Sequence, residues 1–196
     1  MRCKVCLLMG VLLAAPALAA DNVPAQIDAA RAAYQKNDLP RTARALEAAL
    51  QDIHDRLGRS FADTMPPAPA GWQADAPEIQ GLGQVGGGLS VTRAYTKGEA
   101  SLNASLFLDS PAVEAAAALL ANPAATAAQP NMKRVKVGGE DALVRYDGTN
   151  KAGEVTIVLG NRVLLEIEGD GLANADLLAE VAKGWNVAKI KGLAGL

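Results

Sequence analysis

Carboxylates are the main chemical resource of this chain. Glu166, Glu168 and Asp170 alternate along the end of the last predicted strand, and Asp147 lies close to a predicted turn. Two carboxyl groups on either side of a glycosidic bond can hydrolyse it, one as the acid and the other as base or nucleophile. That chemistry normally needs a sugar cleft walled with aromatic rings, and this chain has only seven aromatic residues. We therefore interpret these acids first as solvated strand ends, and a carboxylate-type enzyme is the third-ranked hypothesis.

Motifs for metals and cofactors give little support for other chemistry. A calcium loop needs alternating oxygen ligands, which residues 147–154 do not supply. A zinc site needs several imidazole or thiolate ligands, whereas the chain has one histidine, His54, and two cysteines, Cys3 and Cys6. Residues 81–86 match the dinucleotide fingerprint literally, but a proline-rich loop precedes them and a strand, not a helix, follows. We predict no metal, no cofactor and no catalytic residue.

Four other side chains are candidates for binding a ligand or a partner: Trp72, Arg93, Tyr95 and Arg145. Arg93 shares a predicted strand face with apolar residues, so it either protects a sheet edge or points into a pocket to meet an anion. Arg145 raises the same question. Trp72 lies in a proline-rich segment, where its ring either fixes the segment to a neighbouring surface or contacts a ligand.

The overall composition excludes several classes of protein. The 196 residues are 50% hydrophobic, 20% charged and 4% aromatic, which is unlike a disordered, collagen-like or multi-span membrane protein. Nineteen basic residues against 21 acidic ones give a formal charge of −2, so no excess of positive charge is available to attract a nucleic acid. We predict a globular protein that does not bind nucleic acid.

The first residues have the pattern of a secretory signal peptide. Arg2 and Lys4 precede an almost wholly apolar stretch, and small residues occupy Ala17 and Ala19, where a signal peptidase reads the chain. The stretch is shorter than the roughly 20 apolar residues that cross a bilayer. We predict residues 1–19 to be the signal peptide, with cleavage after Ala19, a periplasmic location and no membrane span afterwards. Both cysteines would leave with the peptide.

The segment 20–65 has the spacing of two helices, interrupted near residues 37–40, where Asp38 can cap the second helix. Several of its residues together resemble one hairpin of a tetratricopeptide repeat: Ala30, Ala33, Tyr34, Asp38, Ala43, Leu46, Ala49 and Leu50. Such hairpins form a peptide-binding groove when about three or more stack, but no second copy is found at a period of about 34 residues. We expect a single helical hairpin that packs on the rest of the protein.

A connector and a mixed domain follow the hairpin. Residues 66–88 are rich in proline and glycine and form neither a regular helix nor a central strand. In residues 89–196 the apolar period changes to two, with two strands, a helix after Ser110, four further strands and a last helix at about 175–185. The predicted class is α+β, with element order ββαββββα and a mainly antiparallel sheet covered by helices.

The turn at 160–161 determines the predicted pairing of the last two strands. A two-residue glycine-asparagine connection pairs Leu159 with Arg162 and Val158 with Val163. In that register both faces of the hairpin are apolar at their centres, so helices would have to cover the sheet on both sides. A shift of one residue would rearrange the faces, and this expectation therefore depends on the turn.

The element order, preceded by a segment with prolines and Trp72, resembles the PsbP-like family over about residues 70–190. The similarity is one of element order, and it assigns no role to any residue. Members of that family mostly act as accessory or assembly proteins, so the resemblance implies a function without catalysis.

Two binding hypotheses therefore lead. The first is an exported, non-catalytic accessory protein that holds a periplasmic or envelope protein by a sheet face, the helical hairpin or the proline-rich arm. The alternative is a periplasmic carrier of a small ligand, with an apolar pocket between sheet and helices, the glycine-rich connector as its gate and Arg93 as its anchor.

Overall fold

A computed structural model describes residues 22–127, 129 and 131–196. The predicted signal peptide, residues 1–19, lies outside the described residues, so its cleavage stays a prediction. The chain divides into two compact units, one ending at Ala49 and the other spanning Leu50–Leu196. The division falls within one long helix.

Two helices form the predicted hairpin at the start of the described chain. Helix α1 spans Val23–Gln35 and helix α2 spans Leu39–Ala62. Between them Asn37 has a φ of 57°, a left-handed conformation that asparagine adopts more readily than most residues. The Asp38 carboxylate accepts a hydrogen bond from the backbone N–H of Arg41 at 3.1 Å and so caps the start of α2.

An antiparallel sheet of eight strands follows, in the order β1-β3-β4-β8-β7-β6-β5, with β2 also paired to β3. The strands are β1 (Gln73–Ala74), β2 (Glu78–Gly81), β3 (Leu89–Lys97), β4 (Ala100–Leu108), β5 (Met132–Val137), β6 (Glu140–Asp147), β7 (Ala152–Leu159) and β8 (Val163–Asp170). Strands β1 and β2 belong to the predicted connector and pair at the edge of the sheet, where a proline-rich segment is tolerated because few backbone donors are needed.

Short helices complete the second unit: a 3₁₀ helix at Gly83–Val85, α3 (Pro111–Ala121), α4 (Pro123–Ala127), α5 (Asp176–Lys183) and α6 (Val187–Ala194). The predicted α+β class and the antiparallel sheet are confirmed. Helices α4 and α6 were not predicted. Ser110 begins α3 as a cap, its hydroxyl accepting a hydrogen bond from the N–H of Ala112.

The predicted register of the last hairpin is wrong by one residue. Leu159 pairs with Val163 and Val158 with Leu164, because the connection has three residues, 160–162, rather than two. Alternation along each strand then gives the two strands one apolar face in common. That face is formed by Val155, Ile157, Leu159, Val163, Leu165 and Ile167. The expectation of two apolar faces is therefore replaced by one apolar face and one mixed face.

The apolar side of the sheet, which we call the core face, packs against α5 and α6. Gly153 and Gly169 lie directly opposite each other on this face. A Cβ atom on Gly153 would lie 2.8 Å from Cδ1 of Leu178 in α5, and one on Gly169 would lie 2.7 Å from Cδ1 of Leu172. The two glycines thus let the leucines approach the sheet, and a larger residue at either position would displace them.

The opposite side, which we call the outer face, is covered over only part of its extent. Helix α3 contacts β4, β7 and β8, and Val113, Leu143 and Leu164 are buried there. Further along the same strands, Asn103 and Glu168 are exposed. The outer face therefore has a covered apolar part and an open polar part.

Arg162, in the connection between β7 and β8, ties three chain segments together. Its Nε and Nη2 donate to the two carboxylate oxygens of Asp109 at 2.8 and 2.6 Å, and its Nη1 donates to the carbonyl of Ala194 at the end of α6. The backbone N–H of Asp109 also donates to the carbonyl of Arg162 at 2.8 Å. The hydrogen bonds from Arg162 hold the pKa of Asp109 below its ordinary value.

We expect Arg162→Ala to lower the free energy of unfolding by about 1 kcal/mol at neutral pH, since a bidentate arginine–carboxylate pair is stronger than a typical exposed ion pair. Arg162→Lys should restore only part of the lost stability, because an ammonium group cannot donate the same two parallel hydrogen bonds to the carboxylate. Urea unfolding of the three proteins measures this.

The lowered pKa of Asp109 gives the pair a definite pH dependence. Its contribution is present above the pKa of an unfolded aspartate and disappears as the pH falls through the folded value. The wild type and Arg162→Ala should therefore converge in stability on acidification. Equal stability at neutral pH would contradict the assignment.

Candidate functional site

The open part of the outer face contains a cavity of about 490 Å³, which we call the polar groove. Its polar lining consists of three asparagines, four acids and one arginine. These are Asn103, Asn131, Asn150, Asp147, Glu154, Glu168, Asp170 and Arg145. The groove is thus lined by four carboxylates and one guanidinium.

Strand pairing places four of these residues in one row across the sheet. Asn103 on β4 pairs with Glu168 on β8, Glu168 pairs with Glu154 on β7, and Glu154 pairs with Arg145 on β6. Neighbouring strands lie about 4.8 Å apart, so the row crosses on the order of 14 Å of sheet. It offers an amide, two carboxylates and a guanidinium in fixed order to anything lying across the strands.

The row is electrostatically unbalanced. Arg145 donates from Nε and Nη2 to the two carboxylate oxygens of Glu154 at 3.2 and 2.8 Å. That pair keeps the Arg145 guanidinium occupied and raises its pKa above the ordinary value. Glu168 lies directly opposite Glu154, and like charges at directly opposed positions destabilise a sheet.

Glu166 is the half-buried acid of the same face, one alternation along β8 from Glu168. Burial raises the pKa of its carboxyl, and the negative charges of Glu168 and Glu154 raise it further. The raised pKa of Glu166 thus comes first from its burial and second from two acids of the groove lining.

Asp147, by contrast, has a structural role in the turn after β6. Its Oδ1 accepts hydrogen bonds from the backbone N–H groups of Thr149 and Asn150 at 2.8 and 3.3 Å, and its Oδ2 accepts one from the Asn150 side chain at 2.6 Å. These bonds hold the pKa of Asp147 below its ordinary value. The turn fixes one wall of the groove.

The structure separates the four predicted binding residues into two places. Arg145 lies in the groove, whereas Trp72, Arg93 and Tyr95 lie where the connector crosses β3. Arg93 donates from Nε to the carbonyl of Asp75 at 2.8 Å, and its guanidinium carbon lies 5.7 Å from the centroid of the Tyr95 ring. The Arg93 guanidinium is thus hydrogen-bonded to the backbone of the connector.

Tyr95 and Trp72 hold the same connector. Tyr95 is fully buried, and its hydroxyl donates to the carbonyl of Pro66 at 2.6 Å. Burial raises the pKa of Tyr95 to about 12. Trp72 is half-buried and packs against the core. The three residues thus help to fix the connector to β3 and the core.

Sequence reasoning missed Asn103 and Glu154 as groove residues. Neither residue belongs to a motif that indicates a site, so neither gives a signal by itself. The usable signal is pairwise, because the correct strand register aligns both residues with Glu168.

Comparison with known proteins gives no match to a family model, a curated protein or a solved structure. The resemblances to the PsbP-like family and to the tetratricopeptide hairpin therefore stay predictions. Within residues 22–127, 129 and 131–196, no three histidine, cysteine, aspartate or glutamate side chains are grouped to hold a metal ion. The described helices include none with the length and apolarity for a membrane span.

We expect Glu166→Gln to stabilise the protein at neutral pH by roughly 0.2–1 kcal/mol, the size of an unfavourable like-charge contact in a sheet. Because the folded pKa is raised, the native protein keeps a proton that the unfolded chain releases. Wild-type stability should therefore fall as the pH rises from the ordinary value of 4.5 through the folded pKa.

The variant should lack this decline. Thermal unfolding between pH 4 and pH 8 compares the two proteins, and parallel curves would show that Glu166 titrates normally. Glu114→Gln, at an exposed position of α3, is the matched control and should leave the pH profile unchanged.

Proposed function

We propose that this protein is an exported, non-catalytic accessory protein that holds a basic segment of an envelope protein in its polar groove. The observation that carries the proposal is the row Asn103, Glu168, Glu154 and Arg145 on the open part of the outer face, within a groove that has four carboxylates and one arginine. A lysine- or arginine-rich segment supplies the complementary charge.

The shape of the groove supports a chain segment as the ligand. Exposed residues form its floor and rim, including Asn103, Glu168 and Asp170. Small-molecule sites usually enclose most of their ligand and are lined mainly by apolar side chains. An extended segment lying across the strands can reach the whole row without being enclosed.

The raised pKa of Glu166 favours a second candidate, acid catalysis by a carboxylate. A glycosidase needs a second carboxylate free to act as base or nucleophile. Glu154 is held by Arg145 and Asp147 by its turn, whereas Glu168 and Asp170 are exposed to solvent. Among the described lining residues Tyr146 supplies the aromatic surface, and its hydroxyl is engaged by the carbonyl of Leu172. Binding is therefore the better-supported function.

A labelled peptide of alternating arginine and glycine tests the groove. We expect binding by fluorescence anisotropy that weakens as salt rises, because exposed charges are screened beyond about 8 Å at physiological ionic strength. Glu168→Gln combined with Asp170→Asn should raise the dissociation constant about tenfold, or about 1.4 kcal/mol.

The matched control removes two exposed acids elsewhere, Glu78→Gln combined with Glu114→Gln. It lowers the net negative charge equally and should keep wild-type affinity. A peptide with glutamate in place of arginine should not bind. Equal losses in both double variants would reduce the effect to net charge and reject the groove as the site.

Export has its own test. We expect the protein recovered from the periplasm of an expressing bacterium to begin at Ala20 by mass spectrometry. Ala19→Phe should block processing because the peptidase reads a small residue there, whereas Leu18→Ile should not. A wild-type chain that keeps Met1 in the cytosolic fraction would contradict export.

A further inference from the structure

The helical hairpin has an unusual distribution of apolar side chains. Among the described residues 22–49, the buried ones are Ala30, Ala33 and Ala49. The large apolar side chains point outwards: Ile27 is 42% exposed, Tyr34 66%, Leu39 56% and Leu46 51%. Large apolar residues are normally the buried ones, and helix pairs depend on burying them for stability. Within the part of the chain that the structure describes, the hairpin therefore presents an exposed apolar surface.

Helix α2 continues this surface along one line, which we call the α2 stripe. It consists of Leu39, Ala43, Leu46, Leu50, Ile53 and Leu57. At 3.6 residues per turn, all six positions lie within about 40° of their mean direction around the helix axis. Leu50 and Ile53 are 51% and 38% exposed, whereas Leu57 is half-buried against the core. Contiguous exposed apolar surface of this kind marks an interaction site.

The spacing of the stripe is symmetric about residue 48. Leu46 and Leu50 lie two positions either side of it, Ala43 and Ile53 five positions, and Leu39 and Leu57 nine. In a two-fold interface the contacts are reciprocal. If residue i of one copy contacts residue j of the other, then residue j of the first copy contacts residue i of the second. Two copies of α2 packed antiparallel about residue 48 meet this condition from Ala43 to Ile53, on the order of 15 Å. Leu57 lies outside this contact because it packs against the core of its own chain.

We propose that the protein is a homodimer formed by antiparallel packing of the α2 stripe on that of a second copy. Leu46 of each chain then packs on Leu50 of the other, and Ala43 packs on Ile53. The dimer gives the exposed large side chains of α2 the cover that the hairpin's own alanines do not. This proposal is independent of the polar groove, because it concerns different residues.

Sedimentation velocity of the chain as recovered from cells, with its amino terminus defined by mass spectrometry, tests the dimer. We expect a dimer at micromolar concentration. Leu46→Glu, Leu46→Lys and Leu50→Lys should each raise its dissociation constant at least about tenfold, since each places a charge among apolar side chains. Ala48→Glu adds the same charge on the exposed opposite side of α2 and should leave the dimer intact.

Mixed variants test the antiparallel register and do not depend on one variant folding well. Leu46→Glu mixed with Leu50→Lys should restore a heterodimer, because the two charges face each other. Leu46→Glu mixed with Leu46→Lys should not, because residue 46 faces residue 50. A monomeric wild type, an equal loss in Ala48→Glu, or rescue by the second mixture instead of the first would overturn the proposal.

Discussion

The pairing of β7 with β8 is the constraint on which the rest of the second unit depends. Because side chains alternate along a strand, a change of one residue in this pairing moves every side chain of one strand to the other face. With Leu159 opposite Val163, most aliphatic residues of both strands meet on the core face, and the carboxylates lie on the outer face together with Val158 and Leu164. Arg162 holds the connection that sets this register through its two hydrogen bonds to Asp109. Core and groove therefore have one structural origin.

The sequence was sufficient for the class, the antiparallel sheet and the hairpin, because these follow from apolar period, caps and turn residues within short windows. It was insufficient for the groove. A glycine-asparagine pair is compatible with connections of two or three residues, and hydrogen bonds between distant segments decide which is formed. The sequence was also insufficient for Arg93. Its position on an apolar face did not reveal that its guanidinium would donate a hydrogen bond to the carbonyl of Asp75.

The residues around the connector and those of the groove differ in how their polar groups are satisfied. Tyr95 and Arg93 direct their polar atoms to backbone carbonyls of their own chain, which fixes the proline-rich segment to β3. In the groove, Glu154 opposes Glu168 and both raise the pKa of Glu166. The first arrangement lowers the free energy of the folded chain, whereas the second contains a like-charge contact that raises it.

An arrangement that costs stability is informative because simple alternatives were available. Threonine or lysine opposite Glu154 would fit the same solvent-exposed strand and remove the like-charge contact. Natural chains keep unfavourable local contacts mainly at functional sites, where a bound ligand supplies the missing counter-charge or hydrogen bond. A basic segment across the row would relieve the repulsion between Glu154 and Glu168 and favour the ionised form of Glu166. The repulsion that lowers the stability of the free protein would therefore raise its affinity for a basic segment. The unfavourable contact in the groove is thus explained by the proposed binding.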